Sequence, residues 1–320
     1  MASINMKFSS HTSPCTQTII SDHIPGRTLF SFADWLIISL KHHNRQRTAE
    51  TYEAALSSFK KFNNGHDIML NSITPSVIEQ YEIHLRERGV RPNTSSFYMR
   101  ILRAIYNRAV SNGVTRQRNP FRNVYTGVGQ TVKRALPLAD IKRIKNLDLT
   151  DEPKAGYARD MFLLSFLLRG MSFIDMAFLR KTDLFNGQII YRRRKTGRLL
   201  SIAWTREMQL IINRYPQNST CYLLPIITGH VADERTAYLN ATYNINHNLK
   251  KVAQMAGVAM PLTMYCARHS WASAAKAKGI PLHIISEGMG HASETTTQIY
   301  LASLDTSIID NANNLIISSI

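Results

Sequence analysis

Three side chains toward the C-terminus, Arg268, His291 and Tyr300, stand in an order that suits phosphoryl transfer without a metal. Arg268 sits in Ala267-Arg268-His269, Gly290-His291 follows twenty-two residues on, and Tyr300 comes nine residues after His291. Arginine neutralises phosphate oxygens through a two-pronged fork, histidine supplies a hydrogen bond or a proton, and tyrosine offers an oxygen nucleophile. An isolated tyrosine is more often a half-buried packing residue, so the spacing carries the argument. The chain has no G-x-x-x-x-G-K-[ST] loop, no H-E-x-x-H pair and no C-x-x-C set. Its three cysteines, Cys15, Cys221 and Cys266, fit a reducing compartment rather than a disulfide framework. No metal and no cofactor are expected.

Charge supplies the substrate class. Lys and Arg number 39 against 22 Asp and Glu, a formal charge of +17, far more than solubility requires, which points to a polyanionic partner. The longest nearly uninterrupted apolar stretch, Met161 to Leu168, is far short of the roughly 20 residues that span a bilayer. The N-terminus shows no basic-then-apolar signal pattern. A soluble, cytoplasmic protein without a membrane partner is expected.

The 320 residues, with 44% apolar side chains, suit about two packed domains. Residues 1–27 lack periodicity and end in Pro25-Gly26, which reads as a flexible arm. Over 28–113 the pattern is helical, with segments at Phe30–Leu40, Thr51–Phe62, Pro75–Arg88 and Asn93–Val110. On the fourth, Phe97, Ile101 and Ile105 form a stripe that seeks a core, while Arg100, Arg103 and Asn107 form a polar stripe. The polar stripe is either a solvated face or a DNA-binding one, and the whole-chain charge favours DNA. Residues 114–137, rich in Arg, Lys, Pro and Gly, read as a basic linker.

The second domain, 138–320, opens with a short helix from Leu138 and an apolar helix at Tyr157–Leu168. Gln188–Arg193 and Leu199–Ala203 flank Lys195-Thr196-Gly197 as a β-hairpin. An Ala-rich helix follows Thr263 and stops at Gly279 and Pro281. In the tail, Ile309, Ala312, Ile316 and Ile320 form an apolar stripe that must be buried at home or on a neighbouring protomer. The fold class is thus mainly α with a small antiparallel β-sheet.

The run from Thr263 to Leu304, TMYCARHSWASAAKAKGIPLHIISEGMGHASETTTQIYLASL, resembles the C-terminal signature of the tyrosine recombinase, or phage integrase, family. In particular it looks like the Bacteroidetes branch that includes DNA invertases and transposon integrases. The likeness extends to RGMSFIDMAFLRKTDL (Arg169 to Leu184) and RRKTGRLLSI (Arg193 to Ile202), and the helical domain is similar to the family's SAM-like core-binding domain. The resemblance implies that Tyr300 attacks a DNA phosphate to give a 3′-phosphotyrosyl bond, that Arg268 and His291 hold the non-bridging oxygens, and that Lys195 is general acid toward the leaving 5′-oxygen. It implies a site-specific recombinase that inverts or excises DNA between short repeats. Its partners would be double-stranded DNA, a homo-tetramer on two sites that allows a free monomer, and accessory DNA-bending proteins.

Two positions depart from the family pattern. Ser172 stands where most members have their first active-site arginine, and Tyr265 stands where most have a histidine three residues before Arg268. The missing cation has candidate replacements in Arg169, Arg192, Arg193 and Arg194, of which Arg193 is favoured. His269 reads as structural, and Ser293 as the N-cap of a helix. Nine residues of unbroken helix would put His291 and Tyr300 about 13 Å apart on opposite faces. Either that helix starts near Ser293 after a loop that folds back, or Tyr300 serves a neighbouring subunit. Two other readings use the same parts: a non-catalytic DNA-binding protein of architectural or regulatory type, and a type IB topoisomerase-like enzyme.

Overall fold

The computed structural model describes residues 26–129, 134–229, 233–302 and 316–318, the side chains of residues 299, 300 and 302 excepted. The chain divides into two compact units, Met1–Gly129 and Gln130–Ile320.

In the first unit the described residues form helices α1 (Leu29–His42), α2 (Gln46–Phe62), α3 (Pro75–Glu87) and α4 (Pro92–Ser111), with one 3₁₀ turn at Leu70–Ser72. Helix α3 starts where Thr74 accepts from the Val77 amide and Pro75 presets the first turn, and Gly89, at φ +70°, lets the chain leave it. Phe32, Phe59, Tyr81 and Tyr106 make the centre of the core, and the Tyr81 hydroxyl donates to Ser58 at 2.7 Å. The inward stripe of α4 differs from the expected one: Met99, Leu102, Ile105, Tyr106 and Ala109 are buried, Ile101 is half-buried, and Phe97 contacts the Tyr98 ring outside the core. The three- and four-residue steps from Met99 to Ala109 describe a straighter stripe than the strict four-residue steps from Phe97, which drift around the helix. Residues 114–129 belong to this unit. Phe121 and Val124 are buried in its core, Tyr106 donates to the Arg116 carbonyl at 2.9 Å, and the Asn93 side chain bonds both the amide and the carbonyl of Gly129.

The second unit begins with α5 (Leu138–Lys145) and α6 (Pro153–Leu167), followed by α7 (Phe173–Ala177) and a three-stranded antiparallel sheet of β1 (Leu184–Phe185), β2 (Gln188–Arg192) and β3 (Leu199–Ala203). Then come α8 (Arg206–Ile212), α9 (Glu234–Met255), α10 (Met264–Ala277), α11 (Leu282–Gly288) and α12 (Glu294–Ala302). Helix α6 is apolar on nearly every side, which requires neighbours all round, and it packs on α9, α10, α5 and α8. Asn186 and Gly187, both at positive φ, turn β1 into β2 as an Asn-Gly turn does. In the tail, Ile316 is helical and exposed, while Ile309, Ala312 and Ile320 lie outside the described residues, as do residues 1–25 of the expected arm. Among the described residues no helix is long and apolar enough to cross a membrane.

Candidate active site

The second unit gathers three arginines on one short stretch of backbone. After α11 the chain passes through Met289, Gly290 and His291, and each of their three consecutive carbonyls accepts from a different guanidinium. Arg268 Nη2 donates to Met289 O at 2.7 Å, Arg193 Nη1 to Gly290 O at 2.6 Å, and Arg198 Nη1 to His291 O. Thr196 adds a second bond to Gly290 O at 3.2 Å. Such a loop needs close approach. Gly290 sits at φ +63°, and a Cβ there would lie 2.8 Å from Leu200 Cδ1 and 3.1 Å from Arg193 Cδ. Only glycine fits without a shift.

Arg268 comes from the middle of α10 and is 3% exposed. Its other Nη donates to the Gly170 carbonyl at 2.8 Å, so two of its five N–H groups fix the guanidinium in place. Gly170, at φ +70°, lies so near that a Cβ would be 2.7 Å from Arg268 Cα. His291 is 6% exposed, and its Nδ1 hydrogen-bonds the Thr297 hydroxyl of α12 at 2.7 Å. Burial first, then the positive charges of Arg268, Arg193 and Lys195, push its pKa down to about 4. The ring is therefore neutral at neutral pH, with the positive charge of Lys195 among those that keep it so.

Arg193 is buried, whereas Arg192 and Arg194 are exposed. Arg192 bonds the Gly197 carbonyl within its own hairpin, and the Arg194 guanidinium lies 4.1 Å from the Phe178 ring centroid. Arg169, at φ +55°, donates to Ser201 O at 3.3 Å. Of the four candidates for the missing cation, Arg193 is the one pinned to the Gly290 carbonyl.

Ser172 donates to Asp175 at 2.5 Å, and the other oxygen of this buried carboxylate accepts from the Arg194 amide at 2.9 Å. The serine thus helps tie α7 to the hairpin turn. Lys195 is exposed at that turn. Tyr265 is 55% exposed and meets the buried His269 ring edge-on at 4.7 Å.

Tyr300 lies on α12, its side chain outside the described residues. The helix begins only at Glu294, after a cap in which the Thr296 amide donates to Ser293 Oγ at 3.3 Å, so His291 is in the preceding loop and the unbroken-helix geometry does not arise. In the other unit, Arg103 and Asn107 are exposed on α4 and line an open cleft with Gln117, Asn119 and Arg122, while Arg100 is half-buried and reaches back to the Ser96 carbonyl. Sequence reasoning missed Arg198, Thr196, Thr297 and Gly170. For Gly170 a signal existed in the Arg169-Gly170 step after an apolar helix; for the others nothing local distinguishes them. Among the described residues no three His, Cys, Asp or Glu side chains cluster as a metal site would require.

The phage integrase family profile matches residues 139–307, and the phage integrase SAM-like domain matches residues 28–126. The chain is 23% identical over 273 residues to tyrosine recombinase XerD of Listeria monocytogenes serovar 1/2a, covering 79% of this chain and 86% of the relative. It is 24% identical over 273 residues to tyrosine recombinase XerC of Thermodesulfovibrio yellowstonii, covering 82% and 89%. Among solved structures, a lambda integrase tetramer bound to a Holliday junction superposes with a TM-score of 0.64 at 17% identity, over 90% of this chain and 80% of that one. The XerH recombinase bound to its difH substrate gives 0.62 at 17% identity, over 88% and 84%. The chain belongs to the phage integrase family, the tyrosine recombinases. It is an enzyme of site-specific recombination.

Proposed function

We propose that this recombinase cleaves double-stranded DNA through attack of the Tyr300 hydroxyl on the scissile phosphate, forming a 3′-phosphotyrosyl bond and releasing a 5′-hydroxyl. Arg268, Arg193 and His291 hold the phosphate oxygens, and Lys195 protonates the leaving 5′-oxygen. Tyr265 and Ser172 complete the surroundings, with Ser172 acting through Asp175 rather than as a cation. The observation that supports this most is the fixing of Arg268 and Arg193 on adjacent carbonyls of the Met289–His291 loop, because donors fixed before reaction stabilise developing charge without reorganisation. A tyrosine of ordinary pKa about 10 needs such a cationic surrounding to act as an oxyanion. Arg193 fills the role left by the arginine absent at Ser172. The neutral His291 ring, held by Thr297, serves as a hydrogen-bond donor rather than a third cation.

The phosphotyrosyl ester keeps the energy of the phosphodiester, so religation to a new strand completes exchange without ATP. The substrate is a pair of short repeats, bound with Arg100, Arg103 and Asn107 of the helical domain on the duplex. The outcome is inversion or excision by a tetramer, as in the Holliday-junction complex of lambda integrase, with accessory DNA-bending proteins as further partners. The tail helix is exchanged between protomers, and the enzyme works in the cytoplasm on nucleoid DNA.

A nicked suicide substrate carrying the recombination repeats tests this reading. The wild-type protein is expected to form an SDS-resistant DNA adduct that is absent from Tyr300→Phe and needs no divalent ion. Tight binding with no adduct from the wild type, or an adduct that persists in Tyr300→Phe, rejects it.

A further inference from the structure

One tyrosine of the catalytic unit has no part in the chemistry above. Tyr191 lies on β2, where Ile189 and Tyr191 point inward and Gln188, Ile190 and Arg192 outward. Alternation continues into Arg193, two residues on and also buried, so Tyr191 and the arginine that holds Gly290 O leave the chain on the same face. Across the ladder Tyr191 pairs with Leu200, whose side chain is the neighbour that a Cβ on Gly290 would strike. Tyr191 is therefore one strand away from the loop that carries His291.

The residue is only 8% exposed, its hydroxyl bonds no protein group among the described residues, and the oxygen itself stays accessible to solvent rather than sealed in the core. Of the other tyrosines of the unit, Tyr157 bonds Pro225 O, Tyr215 bonds Asp160 and Tyr222 bonds Glu234, whereas half-buried Tyr238, like Tyr191, bonds no protein group through its hydroxyl among the described residues. A tyrosine whose ring is packed while its hydroxyl reaches solvent leaves that donor to water, which a ligand oxygen can replace. The charged groups that act on the Tyr191 oxygen are Asp175, Arg268, Arg193 and Arg169, which are the groups around the site. Burial, the largest effect, drives its pKa above the usual tyrosine range. It is a neutral donor and not a second nucleophile.

We propose that the Tyr191 hydroxyl donates a hydrogen bond to a non-bridging oxygen of the scissile phosphate, beside the Ser172–Asp175 pair where the family's usual arginine is absent. A neutral donor there supplies part of what the missing guanidinium would give. The phosphate, in turn, replaces the water that the hydroxyl meets in the free protein. The assignment rests on the phosphotyrosyl reading of the site.

The test compares wild type with Tyr191→Phe on the nicked suicide substrate, using an ordinary scissile phosphate and both phosphorothioate diastereomers. Loss of one such donor is expected to slow adduct formation about 100-fold on the ordinary phosphate. DNA affinity and melting temperature should stay unchanged, since the phenylalanine keeps the packing. Sulfur accepts hydrogen bonds weakly, so on one diastereomer the gap between the two proteins should shrink to about 3-fold or less, while on the other it persists, as a coupling cycle between protein and substrate requires. A gap that persists equally on both diastereomers overturns the contact and leaves a packing role. Equal rates for the two proteins on the ordinary phosphate also overturn it. If the wild type itself gives no adduct, the failure is of the phosphotyrosyl reading and takes the contact with it.

Discussion

His291 lends itself to a quantitative prediction, because its neutrality in the folded protein makes stability depend on pH. With a folded pKa of about 4 against an unfolded value near 6.5, the unfolded chain binds one more proton across the interval between them. Stability is therefore fully present above pH 6.5 and is lost as pH falls toward 4. Between pH 8 and pH 5 this single group shifts the folding equilibrium by a factor of about 30, which is about 2 kcal/mol. Urea unfolding of wild type and His291→Asn at pH 8, 7, 6 and 5 isolates the effect, since the remaining histidines and carboxylates titrate in both proteins and cancel in the difference. The wild type should lose about 2 kcal/mol more than His291→Asn over that range. Parallel loss in the two proteins would falsify the claim that burial and the charges of Arg268, Arg193 and Lys195 keep the ring neutral. A greater loss in His291→Asn would reverse its sign.

Gly170→Ala brings a Cβ to 2.7 Å from Arg268 Cα in a left-handed backbone position, so backbone must move, and a loss of about 2–3 kcal/mol is expected by urea unfolding. A loss below about 0.5 kcal/mol would show that the Arg268 helix tolerates displacement. Asp160, 1% exposed, accepts from Arg159, Arg214 and the Tyr215 hydroxyl. Asp160→Asn should destabilise by about 3 kcal/mol, the low end for a broken buried ion pair, because the Arg214 side chain is 54% exposed and can rehydrate. Unchanged stability would mean that the network does not hold α6 to the segment after α8. Arg193→Ala should lower the rate of adduct formation far more than DNA affinity; equal losses in both, or none, would reject its role as the replacing cation.

Much of the first unit was legible because its helices are short, amphipathic and punctuated: Thr74-Pro75 opens α3 and Gly89 closes it, and these signals act within a few residues. The hairpin around Lys195 was legible for the same reason, through alternation on both sides of a glycine turn. The long helix α9 escaped notice although it spans 22 residues, since its polar asparagines and the exposed Tyr243 blur the apolar stripe. Strand β1 escaped too, despite the Asn186-Gly187 signal, because two residues show no alternation. The loop before α12 illustrates the limit on the site. A glycine at 290 and a serine at 293 are visible in the sequence, but the carbonyls that three arginines seek are the same at every residue.

The sequence by itself determined the kinds of side chain available, their order and their excess positive charge, because these follow from residue type and spacing alone. It also marked Ser172 and Tyr265 as departures from the family pattern. Only the tertiary structure decided which of Arg169, Arg192, Arg193 and Arg194 is buried against the Met289–His291 loop, and that His291 is neutral. Those outcomes depend on burial and on groups about 100 residues apart in the chain coming within bonding distance, such as Arg193 and Gly290. No local pattern encodes which side chain is taken out of water beside which carbonyl; packing alone fixes it.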